Sequence, residues 1–163
     1  MRLFASVIVF AVAVGQTGAP GVPRFADYSV TDLFRGSPTP PVLSSREARM
    51  FRTELRRQAA SGPNFAGHFT LVRLGCGAGC VTAAVVDARS GRVWFPRFRV
   101  EDALEHDGRV SVHHSTDFQL ESELVVACGR INERHTGTAY FRWHEGRLTL
   151  LQLTQGKVCL EAA

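Results

Sequence analysis

The periodicity of this 163-residue chain changes once, at Gly62-Pro63, and that change limits what the sequence can become. Before it, Ala48, Phe51 and Leu55 recur at helical spacing, preceded by Ser44-Ser-Arg-Glu47, which has the form of a capping box. The spacing predicts a helix over residues 45–60 that Gly62-Pro63 ends, with an apolar stripe free to dock on a sheet. After it, short alternating or continuous apolar runs predict strands over 69–74, 81–86, 92–95, 109–114, 123–128, 138–143 and 147–153. Asp87-Ala-Arg-Ser-Gly91 predicts a hairpin turn with Gly91 left-handed, and His144-Glu-Gly146 predicts a second. Residues 101–108 are expected as an acidic loop or short helical turn. No fixed repeat points to a propeller or solenoid. The expected fold is α+β: one N-terminal helix packed on a curved antiparallel β-sheet or half-barrel of about six strands.

The N-terminus has the order of a secretory signal peptide: Met1-Arg2, an apolar run from Leu3 to Val14, then small residues. Cleavage is expected after Gly15, Ala19 or Gly21, with residues 1–19 taken as the leader. The competing reading, an uncleaved anchor, suffers from the shortness of the run, since a spanning helix needs about 20 apolar residues. Residues 20–43, rich in Pro, are expected to form an extended arm with a short turn near Tyr28–Phe34, ahead of one globular domain over 44–163. The net charge of +4 is modest. In an exported chain anionic envelope components are more relevant to that charge than nucleic acid, and a solvated surface explains it equally well. The expected partner is a protein or an anionic envelope component, and no transmembrane segment is expected once the leader is removed.

The four cysteines agree with export. An even number in an oxidising compartment implies two disulfides with three possible connectivities, of which Cys76–Cys80 with Cys128–Cys159 is expected. Cys76-Gly-Ala-Gly-Cys80 has one residue too many for a thioredoxin-type pair and runs into a strand rather than a helix. A zinc site would need two more ligands, and none has paired spacing. No cofactor or metal is expected.

The densest local shaping lies in Asn64-Phe-Ala-Gly-His68 and Gly75-Cys-Gly-Ala-Gly-Cys80. Glycine serves where φ is positive or where another group comes close. Asn64, His68, Gly75, Gly77 and Gly79 are therefore the candidate binding residues. The bland readings are that Asn64 caps the turn after Pro63, that His68 bonds a backbone carbonyl, and that the helix arginines Arg46, Arg49, Arg52, Arg56 and Arg57 only face solvent. His113 and His114 are read as opposite faces of one strand, and Asp87 and Asp117 as turn residues. Exported L,D-type cysteine transpeptidases pair a His-Gly segment with Ser/Thr-x-Gly-Cys-x-Arg. This chain has Gly67-His68 and Gly79-Cys80-Val81-Thr82 but lacks the serine and arginine. A small hydrolase or transpeptidase using His68 with Cys76 or Cys80 is thus the alternative to a non-catalytic binding module.

Gly62-Pro-Asn-Phe-Ala-Gly-His-Phe69, Gly75-Cys-Gly-Ala-Gly-Cys80, the Val86–Val93 hairpin and Asn132-Glu133 together resemble a group of small exported bacterial proteins of unknown function. The resemblance covers roughly residues 45–155. It implies a periplasmic or secreted location in the bacterial envelope and carries over no activity.

Overall fold

The computed structural model describes residues 21–104 and 107–156. The expected leader and Cys159 lie outside the described residues. The chain folds mostly as antiparallel sheet with little helix. A 3₁₀ turn, Phe25–Tyr28, comes first, followed by α1 (Arg46–Met50) and α2 (Arg52–Ala59). Then come β1 (Phe69–Gly77), β2 (Cys80–Asp87), β3 (Val93–Trp94), β4 (Arg99–Glu101), β5 (Ala103–Leu104), β6 (Val110–Val112), β7 (Ser115–Phe118), β8 (Leu124–Ile131), β9 (His135–His144) and β10 (Arg147–Gln155).

The main sheet has eight strands rather than six. Its order is β1-β2-β4-β8-β9-β10, with β3 added to β2 and β7 to β8, while β5 and β6 pair separately. The predicted helix is in two pieces. Phe51, at φ −96° and ψ 18°, breaks it and turns its ring onto Phe95 at 6.3 Å. Ser45 caps α1, its Oγ accepting from the Ala48 N–H at 2.9 Å. The expected box from Ser44 to Glu47 is therefore offset by one residue. The stripe itself buries as expected: Ala48, Leu55 and Ala59 pack on Val72, Leu74, Ala84 and Val86. All five helix arginines are exposed.

On the opposite face, Leu71, Val85, Val100, Val125 and Phe141 belong to one core. Phe69 on β1 meets Trp143 on β9 with ring centroids 5.6 Å apart. In a flat sheet the four strand steps between them would span about 19 Å. The sheet therefore rolls over this core, yet it does not close into a barrel, since β1 and β10 remain its two ends. The roll is also bridged where Arg73 donates to the Thr116 carbonyl at 2.5 Å and lies over the Phe118 ring.

The Pro-rich arm is not a free extension. Its short turn falls at Phe25–Tyr28 rather than 28–34, and Phe25 packs against Leu124, Val126 and Tyr140. The arm then bonds the body through Val30 N–H to Glu121 O, Phe34 N–H to Gly67 O, Thr39 N–H to Ala88 O and Val42 N–H to Gly91 O. The expected loop over 101–108 begins instead as strand, with Glu101 closing β4 and Ala103–Leu104 forming β5. Both predicted hairpin turns form. Gly91 has φ +74°, and Glu145 and Gly146 have φ +49° and +76°, the all-positive pattern of a type I′ turn.

Candidate binding cleft

β1 separates the residues that the sequence groups into one surface. His68 lies just before its start and Cys76 near its end, about 25 Å apart at 3.3 Å per residue. Asn64 and His68 thus belong to one end of the β1–β2 hairpin, and Gly75, Gly77 and Gly79 to the other. A dyad of His68 with Cys76 or Cys80 is not assembled.

Asn64 and Gly79 have structural tasks. Asn64 accepts from the Leu71 N–H at 2.8 Å and donates to the Leu71 carbonyl at 3.4 Å. Gln58 treats Arg73 the same way, with both bonds at 2.9 Å. Leu71 and Arg73 turn their backbone groups away from β2, so two side-chain amides stand in for a missing neighbour strand along this edge. Gly67, at φ +81°, lies so close to the Asp32 carbonyl that a Cβ would collide with it. Its N–H donates to Leu120 O at 2.6 Å. His68 is half-buried, its ring 4.0 Å from that of Phe69. Burial, and then the charge of Arg89, hold its pKa below the ordinary imidazole value, while Asp87 and Asp32 oppose them. Arg89 is itself paired with Asp32 at 2.8 Å.

At the other end, Cys76 and Cys80 are bonded to each other. Cys128 is buried and disulfide-bonded; the expected pairing with Cys159 lies outside the described residues. Gly79 is required, because a Cβ there would meet the Asp102 carboxylate at 2.6 Å. Asp102 donates its N–H to Gly79 O and accepts from the His114 N–H at 2.9 Å and from His114 Nδ1 at 2.7 Å. The two bonds from His114 keep the Asp102 carboxyl below the usual range. His113 Nδ1 is 3.9 Å from the same oxygen. The two histidines therefore lie in the link between β6 and β7 and converge on one carboxylate, which corrects the expectation of opposite strand faces. Asp117 sits within β7 rather than in a turn.

One concavity was not indicated by the sequence. A broad cleft of about 930 Å³ runs along residues 95–99 to β10, with Cys76 at its margin. Phe98 and Phe141, edge to face at 5.3 Å, form its floor together with Leu148, Leu150 and Leu153. These leucines share a face only because β10 carries a bulge between Leu150 and Gln152. Without the extra residue Leu153 would point to the opposite side, since strand side chains alternate. The doubled Leu150-Leu151 was the available sequence signal.

The rim is cationic. Arg97, Arg99, Arg134 and His135 line it, against the single acidic side chain of Glu47 among the described lining residues. Arg99 is neutralised by Glu133 and, at 3.7 Å, by Glu101. Among the described residues no carboxylate pairs with Arg97 or Arg134. Asn132 fixes this rim: its N–H donates to Arg99 O and its Oδ1 accepts from Arg99 N–H, both at 2.9 Å. Asn132 and Glu133 take φ +48° and +62° to do so, conformations uncommon for residues with a Cβ.

Among the described residues no cluster of three or more His, Cys, Asp or Glu side chains could hold a metal ion, and no helix is long and apolar enough to cross a membrane. No protein-family model matches the chain, and no curated protein or solved structure matches it.

Proposed function

We propose that this protein is an exported, disulfide-stabilised, non-catalytic binding module of the bacterial envelope, periplasmic or secreted, and that the cleft between residues 95–99 and β10 is where it binds. The carrying observation is the combination of an apolar floor with two arginines on the rim, Arg97 and Arg134, that no carboxylate among the described residues pairs with. An apolar concavity with a few placed polar groups is the usual form of a ligand site. Its charge selects an anionic partner, in line with the net charge of +4. Export rests on the leader pattern, on cysteine use and on the resemblance to small exported bacterial proteins. The rolled sheet, read as a half-barrel, supplies a rigid wall, and the Cys76–Cys80 bridge limits the ordering cost of the adjoining loop.

Titration with 8-anilinonaphthalene-1-sulfonate, an apolar dye with one negative charge, tests the site. The expected result is saturable fluorescence enhancement that weakens about tenfold in an Arg97→Ala, Arg134→Ala double variant, the loss of two exposed ion pairs at about 0.7 kcal/mol each. Enhancement that is absent, or indifferent to both arginines, removes the cleft as the site. Intact-mass measurement of the protein recovered from envelope fractions tests export; a mass that retains the leader and four thiols rejects it.

A further inference from the structure

The two ends of the rolled sheet are treated differently. The outer edge of β1 is shut by the amides of Asn64 and Gln58. Among the described residues nothing pairs with the outer edge of β10. The two-residue turn Glu145-Gly146 makes His144 and Arg147 a hydrogen-bonded pair, so by alternation Leu148 and Leu150 direct their N–H and C=O groups away from β9. The same residues line the cleft with their side chains. Leu150 is 51% exposed and Leu151 39%. Beyond Arg147, no charge or proline protects this edge through Gln155, although exposed edges are usually blunted by such residues.

We propose that β10 accepts an extended, acidic polypeptide segment as an added strand, whose apolar side chains lie on Leu148, Leu150 and Leu153 and whose carboxylates reach Arg97 and Arg134. This rests on the cleft reading above and names its partner. Strand addition fits because one edge supplies main-chain bonds and the alternating pockets of one face supply selectivity. Charge complementarity fixes the sign of the partner: among the described residues the rim holds two arginines without paired carboxylates, while Arg99 is paired with Glu133. An anionic lipid would use the arginines but would leave the row of β10 backbone groups unsatisfied.

Selection of random nine-residue peptides displayed against the purified protein tests the proposal. Peptides that carry both apolar residues and Asp or Glu at alternate positions of the same parity, so that both kinds of side chain face the cleft, are expected to be enriched. For an enriched peptide, N-methylation of the alternate amides that face β10 should weaken binding at least tenfold, the loss of about two hydrogen bonds, and N-methylation of the intervening amides should not. Arg97→Glu with Arg134→Glu should shift the selected charges to Lys and Arg. No enrichment over a Leu150→Pro variant, which lacks the outward N–H, overturns the proposal, and so does equal sensitivity to both methylation patterns. If phosphatidylglycerol vesicles bind in an arginine-dependent way and no peptide is enriched, strand addition fails and the cleft reading stands. If dye binding ignores the arginines as well, both fail.

Discussion

Asn64 does at the edge of β1 what a neighbouring strand would do, holding both backbone groups of Leu71. Asn64→Ala leaves a part-buried N–H and carbonyl without partners, and the expected loss is about 1–3 kcal/mol. Urea denaturation measures it, and an unchanged midpoint would mean that water replaces the amide. His68 makes a pH prediction. Its folded pKa lies below the unfolded value, so the unfolded chain takes up the proton first. Its contribution to stability is complete above the unfolded value, about 6.5, and is lost as pH falls below it. His68→Gln should therefore flatten the stability profile between about pH 7 and 5; the same slope in both proteins would assign the effect elsewhere. The sequence marked these residues as special without naming the neighbours they serve. Glycine and Asn signal close approach or an unusual turn whether the neighbour is a ligand or the chain itself. At Gly67 and Gly79 the neighbours are Asp32 and Asp102, more than twenty residues away in sequence. No local pattern names such partners.

Among the elements, those closed by local chemistry were legible. The β9–β10 hairpin follows from Glu145-Gly146, and the 87–91 turn from Asp87, whose carboxylate accepts from Arg89 N–H and Ser90 Oγ. β4, β5 and β7 were missed because they are short; β5 and β7 pair with the strands next to them, β6 and β8, whereas β4 also owes its strand form to partners distant in sequence, lying between β2 and β8. The cleft was missed for the same reason, its floor being drawn from the 95–99 segment, β9 and β10. The Cys76–Cys80 bridge closes a small loop, so Cys76→Ser with Cys80→Ser should cost about 2 kcal/mol on the chain-entropy account. A loss well above that would show that the bridge also positions Gly79 against Asp102. The amide guard of β1 makes a different prediction. Gln58→Ala with Asn64→Ala strips the partners from two successive outward residues and should promote association through β1, read as concentration-dependent sedimentation. A double variant that stays as monodisperse as the parent would show that helix α2 alone shields this edge.

The roll sets the scale of the whole molecule, because it brings sequence-distant parts into one core. Phe69, Trp94 and Trp143 meet edge to face at 5.6–5.9 Å although they come from β1, β3 and β9. The arm belongs to the same unit. The sequence placed a boundary at residue 44 because Pro-rich composition resembles a linker, yet composition does not report what the arm touches. Phe25 is buried against β8 and β9, which stabilises by about 2 kcal/mol. Ser122 Oγ donates to the Phe25 carbonyl at 2.8 Å, and four backbone bonds follow, from Val30 to Val42. At about 1 kcal/mol each, these contacts with the buried ring approach 7 kcal/mol before the cost of ordering the arm, within the range of a domain's whole stability. A chain beginning at residue 44 is therefore expected to unfold at much lower urea and to lose a sharp transition in tryptophan fluorescence, since Trp143 sits in the core over which the sheet rolls and Trp94 packs against it. Were that chain to unfold at the parent's midpoint with the same slope, the arm would be an appendage, and the sheet with its helices would hold the roll without it.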